Sequence, residues 1–268
     1  MPPEIHVPIF SDIVPGGFKH GANYLVEFES SSLWYETSLT IAARALKAGV
    51  KTQYHTFMHI PGEVRQGLRS LNVDVETFES QNRFRMVDTY SGLTGLPLQP
   101  EKAAVPGRSK YSINDPSYLE DYTATVATLI TDGASDVEKR WLHLDDNTSI
   151  FNRYFKEQDV LNIFQTRAFQ LTRVLELSAF HSLVAGVWSE SYYKQFEAQC
   201  DGVIDFKTEE DEGQIENYVR VRSLRGKSCD SRWRHLHLEA NGEVVLEKIG
   251  ENKKEIGISG WLRGPKKK

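Results

Sequence analysis

The sequence predicts an α/β protein with a mainly parallel, twisted sheet, helices on both faces and an antiparallel extension at the C-terminal end of the sheet. Two observations carry this prediction. From residue 23 to about residue 209, short apolar segments alternate with amphipathic helical segments, as in parallel sheets whose strands are connected by helices. From residue 210 to 249 the apolar residues alternate with period two, which is typical of antiparallel strands.

The predicted elements follow one another in βαβα order. Strands of the parallel sheet are predicted near residues 23–27, 52–57, 84–88, 140–145 and 181–187, followed by the segment GVIDFK. Helices are predicted over residues 34–47, 62–71, 119–134 and 158–177. In the extension, Gly226 and the pair Asn241-Gly242 are predicted to form turns, because glycine tolerates the positive φ that tight turns require.

We expect a single domain over residues 1–268, without internal repeats. Residues 1–20 are interpreted as a short leader, and residues 263–268 as a basic tail in solvent. Residues 91–118 are rich in Gly, Pro and Ser and are too many for a plain connection. This long surface loop is therefore predicted to be a lid, a partner-binding loop or partly disordered. Residues 210–249 form the antiparallel strands.

The composition excludes several classes of protein. A chain of 268 residues with 40% hydrophobic and 26% charged residues is typical of a globular protein with a substantial core. Its net charge of -5 argues against a generally nucleic-acid-binding surface, although a local basic patch remains open. Two cysteines, Cys200 and Cys229, provide neither a disulfide framework nor a four-thiolate zinc site.

The predicted location is the cytoplasm. The N-terminal stretch MPPEIHVPIFSDIVPGG lacks the basic region and apolar core of a signal peptide. No stretch approaches the roughly 18 uninterrupted apolar residues of a membrane span, so no membrane contact is expected.

Six motifs, taken in order, resemble the KaiC-like branch of the RecA ATPase superfamily, of the type found in archaea. They are GGFKHGANYLVEF, ARALKAGVKTQYHTF, PGEVRQGLRSLNVDVETFESQNRFRMVDTYSG, LHLDD, CDGVIDFK and YVRVRSLRGKSCDSRWRHLHLEANGEVV. Each motif is weak alone, whereas their order and spacing are specific and cover most of the chain. The resemblance implies a RecA-like P-loop NTPase fold.

The family's phosphate-binding loop, GPPGSGKT, aligns without a gap with FESSSLWY, residues 28–35. No glycine remains, Trp34 replaces the lysine, and Tyr35 replaces the residue that holds magnesium. These losses remove both the close backbone approach to phosphate and the ammonium group that neutralises it. The degenerate loop consists of Glu29, Ser30, Ser31, Ser32, Trp34 and Tyr35. The two aromatic residues are interpreted as filling the space of a lost ligand, with an aromatic ligand platform as the alternative.

Of two further family signatures, one is replaced in this sequence and the other is present. The glutamate pair that activates water in catalytic members falls on Met58 and His59, of which His59 could in principle act as a base. Asp145 occupies the Walker B position. We interpret it as a relic or a hydrogen-bond acceptor, because magnesium also requires phosphate oxygens. Asp146 is expected to be a cap or turn residue.

An arginine-rich stretch lies in the predicted extension. Arg225 matches an arginine that, in ring-forming relatives, reaches the nucleotide of the neighbouring subunit, whereas the adjacent lysine position is Ser223. We expect a possible contact with another subunit or with nucleic acid to involve Arg222, Arg225, Arg232 and Arg234. Arg220 and Trp233 belong to the same stretch of the sequence. The alternative is cross-strand pairing of these arginines with Glu216, Glu239 and Glu243.

His235 and His237 lie two residues apart on one predicted strand and hence on one face, as a metal-binding pair would. The sequence offers no evident third ligand, so no metal is predicted.

These observations predict a non-catalytic pseudo-ATPase that is a regulatory or scaffolding subunit and requires no cofactor. It is expected to form a homo-oligomer or a hetero-oligomer with a RecA/KaiC-like paralogue. Two alternatives stay open: a weak nucleotide-dependent ATPase or sensor with a rebuilt site, and a nucleic-acid-binding module that uses the C-terminal arginines. Nucleic acid is not the favoured partner.

Overall fold

The computed structural model describes residues 4–7, 9–93, 111–112, 140–211 and 213–247. The predicted helix at 119–134, most of the loop at 91–118 and the basic tail at 263–268 lie outside these residues.

Ten strands of the described residues form one sheet, and two short strands pair with each other. The strands are β1 Glu4–Ile5, β2 Phe18–Lys19, β3 Ala22–Phe28, β4 Thr52–Thr56, β5 Phe84–Asp88, β6 Tyr111–Ser112, β7 Leu142–Asp145, β8 Ser178–Val184, β9 Gly202–Asp211, β10 Gln214–Leu224, β11 Arg234–Leu238 and β12 Val244–Leu246. Their order across the sheet is β12-β11-β10-β9-β3-β8-β7-β4-β5-β6.

The sheet is parallel from β9 to β6, and β10, β11 and β12 continue it with antiparallel pairing. This architecture confirms the predicted fold class. The turns expected at Gly226 and Gly242 are also confirmed, since both glycines have positive φ, at 73° and 85°.

Helices connect the parallel strands. Their bounds are α1 Trp34–Lys47, α2 Pro61–Ser70, α3 Val75–Ser80, α4 Tyr90–Leu93, α5 Glu157–Ile163, α6 Phe169–Val174 and α7 Glu190–Gln199. In α1, the buried residues Leu39, Ala42 and Leu46 recur at the three- and four-residue spacing of one helix face. Gly49, with φ of 92°, follows the helix and allows the chain to leave it.

The two faces of the sheet bury separate hydrophobic clusters, because successive strand residues point to opposite faces. Tyr24 and Tyr54 lie in the cluster that includes α1 and α2, whereas Leu25 lies in the cluster that includes α5, α6 and α7. Helices therefore cover both faces, as predicted.

The segment interpreted as a leader is part of the core. Ile5, Val7, Phe10 and Phe18 are buried, and the ring of Phe18 packs against Tyr24 with 4.8 Å between centroids. Strand pairing of β1 with β2 holds the segment in place. Within the described residues, this part of the chain is therefore integral to the fold.

Two predicted boundaries were wrong. The strand predicted at 181–187 is β8, which begins at Ser178 and ends at Val184. The chain turns at Gly186, whose φ is 79°, and the apolar residue Trp188 is buried in the turn region beyond the strand. The single helix predicted over 158–177 is divided by a π-helical turn at Phe164–Ala168.

The described residues contain no helix long and apolar enough to cross a membrane.

Candidate functional site

The loop of residues 29–33, which the sequence resemblance aligns with a phosphate-binding loop, leads from β3 into α1. The carboxylate of Glu29 accepts two hydrogen bonds from Thr208 of β9, from its amide at 2.8 Å and from its hydroxyl at 2.9 Å. Ser31 and Thr208 also share a hydroxyl contact of 3.0 Å, while Ser30 is exposed. A side-chain carboxylate thus ties the loop to the neighbouring strand, and its negative charge opposes that of a phosphate.

Backbone amides of the same loop are used inside the protein. The Leu33 amide donates to the side-chain oxygen of Asn217 at 3.1 Å, and the Ser32 amide donates to the Glu29 carbonyl at 2.9 Å. The Glu29 amide donates to the Phe206 carbonyl at 3.2 Å. A phosphate cradle depends on free N–H groups at this position, so these three amides are not available to form one.

Trp34 is fully buried at the position of the family's lysine. Its ring lies 5.3 Å from Phe206 and 6.4 Å from Phe28, measured between centroids. The side chain points into the core and therefore fills space, as the first interpretation of this residue expected. A buried indole offers no surface on which a ligand could stack.

Tyr35 and His59 form a stacked pair beside the loop, with 3.5 Å between ring centroids and 10° between ring planes. The Nδ1 atom of His59 lies 2.9 Å from the carboxylate of Asp146, which is fully buried. His59 itself is partly exposed. A half-open imidazole held by a buried carboxylate is the arrangement in which a histidine is oriented for proton transfer.

Asp146 fixes the loop that follows β4. It accepts hydrogen bonds from the amides of Phe57 at 2.7 Å and Met58 at 3.3 Å, and from the hydroxyl of Thr56 at 3.2 Å. The Met58 side chain is exposed. Met58 and His59, the two positions that the sequence resemblance aligns with catalytic glutamates, both contact Asp146, which anchors this loop.

Asp145 lies in a buried polar cluster on three adjacent strands. Its Oδ1 accepts hydrogen bonds from the amide and hydroxyl of Ser182 at 2.8 Å and 2.5 Å, and its Oδ2 lies 3.5 Å from Nδ1 of His181. Neither of these two facing atoms has a hydrogen-bond partner among the described residues. His143 and His55 complete the cluster, with 5.1 Å between their ring centroids.

Burial shifts the pKa of every group in this cluster in the direction that favours its uncharged form. It raises the pKa of Asp145 to about 7 and lowers the pKa of His143 to about 4 and that of His181 to about 3. It also lowers the pKa of His55 well below its ordinary value. Desolvation penalises the charged form of each group, so neutral imidazoles are favoured at pH 7, and the Asp145 carboxyl is mainly protonated below its pKa of about 7. Asp145 is a hydrogen-bonded core residue, as its interpretation as an acceptor expected.

The arginines of the extension have partners within the chain. Nη2 of Arg222 contacts three carboxylates at 2.8 to 3.1 Å, those of Glu27, Glu197 and Asp205. Arg225 donates to the carbonyl oxygen of Ala198 at 2.9 Å. Arg222 is half-buried among acidic groups, which disfavours its use as a phosphate contact.

The remaining arginines pair locally. Arg232 is exposed and bonds to Asp230, whereas Arg234 is buried and donates to the Glu247 carbonyl at 2.6 Å. Arg220 bonds to Asp205 at 2.6 Å and lies over the ring of Trp233. The alternative pairing with Glu216, Glu239 and Glu243 is therefore not the one that the described residues make. Glu243 instead pairs with Arg44, and Glu216 with His235.

Two groups of side chains in the described structure bring three possible metal-binding atoms within 4.8 Å of one another. One is the buried group of His143, Asp145 and His181. The other is His235 and His237 with Glu247, so the predicted histidine pair does have a third potential ligand.

Comparison with known proteins supports the fold. No family model and no curated protein matches the sequence. Among solved structures, the chain is similar to the crystal structure of a KaiC-like protein from the hyperthermophilic archaeon Pyrococcus horikoshii. The TM-score is 0.66, the sequences are 16% identical, and the match covers 92% of this chain and 100% of the other. The protein has a KaiC-like, RecA-type fold. At this identity, the similarity establishes the fold alone.

The sequence interpretation missed the most strongly organised part of the site. Asp146 was expected to be only a cap or turn residue, and His143 and His181 were not singled out. A signal was present in both cases: WLHLDD places His143 two residues before Asp145, on the same strand face, and FHS puts His181 inside an apolar strand. The third potential ligand, Glu247, is brought to His235 by strand pairing over a turn.

Proposed function

We propose that this protein is a non-catalytic, KaiC-like pseudo-ATPase that acts as a regulatory or scaffolding subunit. The observation that carries the proposal is the position of Trp34, which is fully buried where a working loop needs a flexible lysine. Glu29 strengthens the argument, because its carboxylate is bound to Thr208 at the loop where phosphate charge would accumulate.

The residues at the degenerate site do not fit Mg-ATP. The loop lacks a cation, and Tyr35 stacks on His59 rather than offering a small hydroxyl to magnesium. Asp145 is surrounded by Ser182 and His181 within the core, so it does not face a phosphate. Magnesium in such sites is bound by carboxylates together with substrate phosphates. These side chains offer neither a free carboxylate nor a group that would hold the phosphates.

Assembly is the use that we propose for the retained fold, either with itself or with a RecA/KaiC-like paralogue. Met58 and Ile60, which flank His59, are exposed apolar residues in the loop after β4. Arg225 is exposed and has one carbonyl acceptor in the described structure, Ala198. An acidic residue of a neighbouring subunit would satisfy its remaining donors, since the guanidinium fork pairs well with carboxylates.

Calorimetric titration with Mg-ATP tests the loss of nucleotide chemistry. We expect neither binding at micromolar concentration nor turnover. Trp34→Lys should not restore either, because the glycines remain absent. Binding of Mg-ATP that disappears in Asp145→Asn would overturn the proposal, since it would place a working site at the Walker B position.

Light scattering at micromolar concentration tests assembly. A multiple of 30.5 kDa is expected, with a lower mass for Arg225→Glu. Arg69→Glu is a matched control because Arg69 is also exposed and lies near the C-terminal end of α2, eight residues beyond the start of the helix that follows Ile60. A mass near 30.5 kDa that does not change on adding a candidate paralogue contradicts the assembly proposal.

One observation favours a second candidate, a nucleotide-dependent ATPase or sensor with a rebuilt site. His59 is partly exposed and is oriented by the buried carboxylate of Asp146 at 2.9 Å. Such a pair can accept a proton from water. Turnover of ATP that is lost in His59→Gln and retained in His6→Gln, a change at an exposed histidine, would support this candidate.

A further inference from the structure

The antiparallel extension gathers two histidines and two glutamates from neighbouring strands. His235 and His237 lie on β11 and share one face of the sheet, because side chains two residues apart on a strand point the same way. Glu216 belongs to β10, and Glu247 directly follows β12. Pairing of β11 with both neighbouring strands places the two carboxylates on either side of the histidines.

The three candidate ligand atoms lie within 4.8 Å of one another, close to the spacing of ligands on one metal ion. Oε2 of Glu247 lies 3.4 Å from Nδ1 of His235 and 4.0 Å from Nε2 of His237. A tetrahedral zinc ion with bonds of about 2.0 to 2.1 Å separates its ligand atoms by about 3.3 to 3.4 Å. The first distance already fits, and a small rotation of His237 would bring the second into range.

Glu216 prepares His235 for this role. Its carboxylate bonds to Nε2 of His235, on the opposite side of the imidazole from Glu247. A carboxylate only accepts, so Nε2 carries a proton in this contact, and in the neutral imidazole the lone pair of Nδ1 points towards Glu247. A carboxylate bound to the distal nitrogen of a histidine is the common outer-shell support of zinc-binding histidines.

The group is also accessible. The His237 side chain is 49% exposed, whereas His235 and Glu247 are 16% and 17% exposed, so an ion can reach the ligands from solvent. We propose that His235, His237 and Glu247 bind a divalent transition-metal ion, with Zn²⁺ as the best match to two imidazoles and a carboxylate, and with Glu216 orienting His235. Such an ion would fasten Glu247, after the short strand β12, to β11 and leave one coordination position open.

Titration of EDTA-treated, tag-free protein with Zn²⁺ by calorimetry tests the proposal. One ion per chain is expected to bind at the extension, and zinc is expected to raise the Tm of the wild-type protein. His237→Gln and Glu247→Gln should each weaken binding at least tenfold and abolish the Tm shift. Glu216→Gln should weaken binding about 10- to 100-fold, the range for loss of an outer-shell partner.

Two matched variants control for the type of substitution. His6→Gln changes an exposed histidine outside the cluster, and Glu239→Gln changes an exposed glutamate of the same extension. Both should bind zinc as the wild type does. The proposal is overturned if the wild type binds no zinc, or if a His237→Gln, Glu247→Gln double variant with a native circular dichroism spectrum binds it undiminished. The latter result would place the ion elsewhere, for example at the buried histidines.

Discussion

The indole of Trp34 packs against the ring of Phe206, with 5.3 Å between the ring centroids, and joins α1 to β9 in the hydrophobic core. The sequence resemblance aligns Trp34 with the lysine of a phosphate-binding loop. The same position here has an apolar, structural role. One residue therefore carries both the packing of α1 on β9 and the proposed absence of phosphate binding.

Trp34→Ala should lower the free energy of unfolding by about 3 to 5 kcal/mol, because it opens a cavity under α1. Urea denaturation measures the change. Tyr154→Ala is the control, since Tyr154 is 39% exposed and its truncation leaves no closed cavity. Equal effects of the two substitutions would contradict the packing role that we assign to Trp34.

The loop after β4 depends on Asp146, which accepts from the amides of Phe57 and Met58. Asp146→Ala leaves these donors without their acceptor, which should cost about 1 to 3 kcal/mol for a buried group. Hydrogen exchange should accelerate at both amides. Asp211→Ala, at an exposed strand end, should leave their exchange rates unchanged. Unaltered exchange in Asp146→Ala would show that the loop is held by other contacts.

The fold could be predicted from the sequence where periodicity and burial coincide. The predicted segment 84–88 coincides with β5, which is buried along its whole length, and 34–47 coincides with α1, which has one apolar face. The prediction of one regular helix over residues 158–177 failed because the packing of two phenylalanines requires a π-helical turn. Phe164 and Phe169 are five residues apart, yet both pack on His181, which a regular helix would not allow. A π-helical turn places them on one face, with the Phe169 amide donating to the Phe164 carbonyl.

In the candidate site, the residue types could be read from the sequence, but the contacts between distant residues could not. Loss of the glycines and lysine at residues 28–35 can be read from the sequence, since it depends on residue type alone. The anchoring of Glu29 by Thr208, which is 179 residues away in the chain, depends on pairing between β3 and β9. Likewise, Arg222 meets Glu197 of α7 through the packing of a helix on the sheet. Contacts between residues so far apart in the chain leave no pattern in the local sequence from which they could be predicted.

Two arginines of the extension should differ sharply in their contribution to stability. Arg222 contacts three carboxylates and is 35% exposed, whereas Arg232 bonds to Asp230 and is 73% exposed. Arg222→Ala should lower the free energy of unfolding by about 1 to 3 kcal/mol, less than for a fully buried ion pair because water screens its charge. Arg232→Ala should leave the free energy of unfolding close to the wild-type value, because water screens this exposed ion pair. Thermal and urea unfolding compare them, and equal losses would refute the difference.

The buried cluster of His55, His143 and His181 with Asp145 predicts how stability changes with pH. Each histidine has a pKa below its unfolded value of about 6.5. The stability that each contributes is therefore present above about pH 6.5 and is lost as the pH falls towards its folded pKa. Asp145 acts in the opposite sense, because its pKa is raised to about 7. Its contribution is present below about pH 4 and is lost as the pH rises to 7.

Three imidazoles outnumber one carboxyl, so the free energy of unfolding should fall between pH 6.5 and 4.5 by about 1.4 kcal/mol per pH unit for each net proton. His181→Phe removes one titrating group while keeping an aromatic ring among Phe164 and Phe169. Urea denaturation across this pH range should give a slope smaller by up to about 1.4 kcal/mol per pH unit, whatever the overall loss of stability. The exposed change His6→Gln should preserve the wild-type slope. Parallel curves for His181→Phe and wild type would mean that His181 takes up its proton equally in the folded and unfolded chain, against the burial that the structure assigns to it.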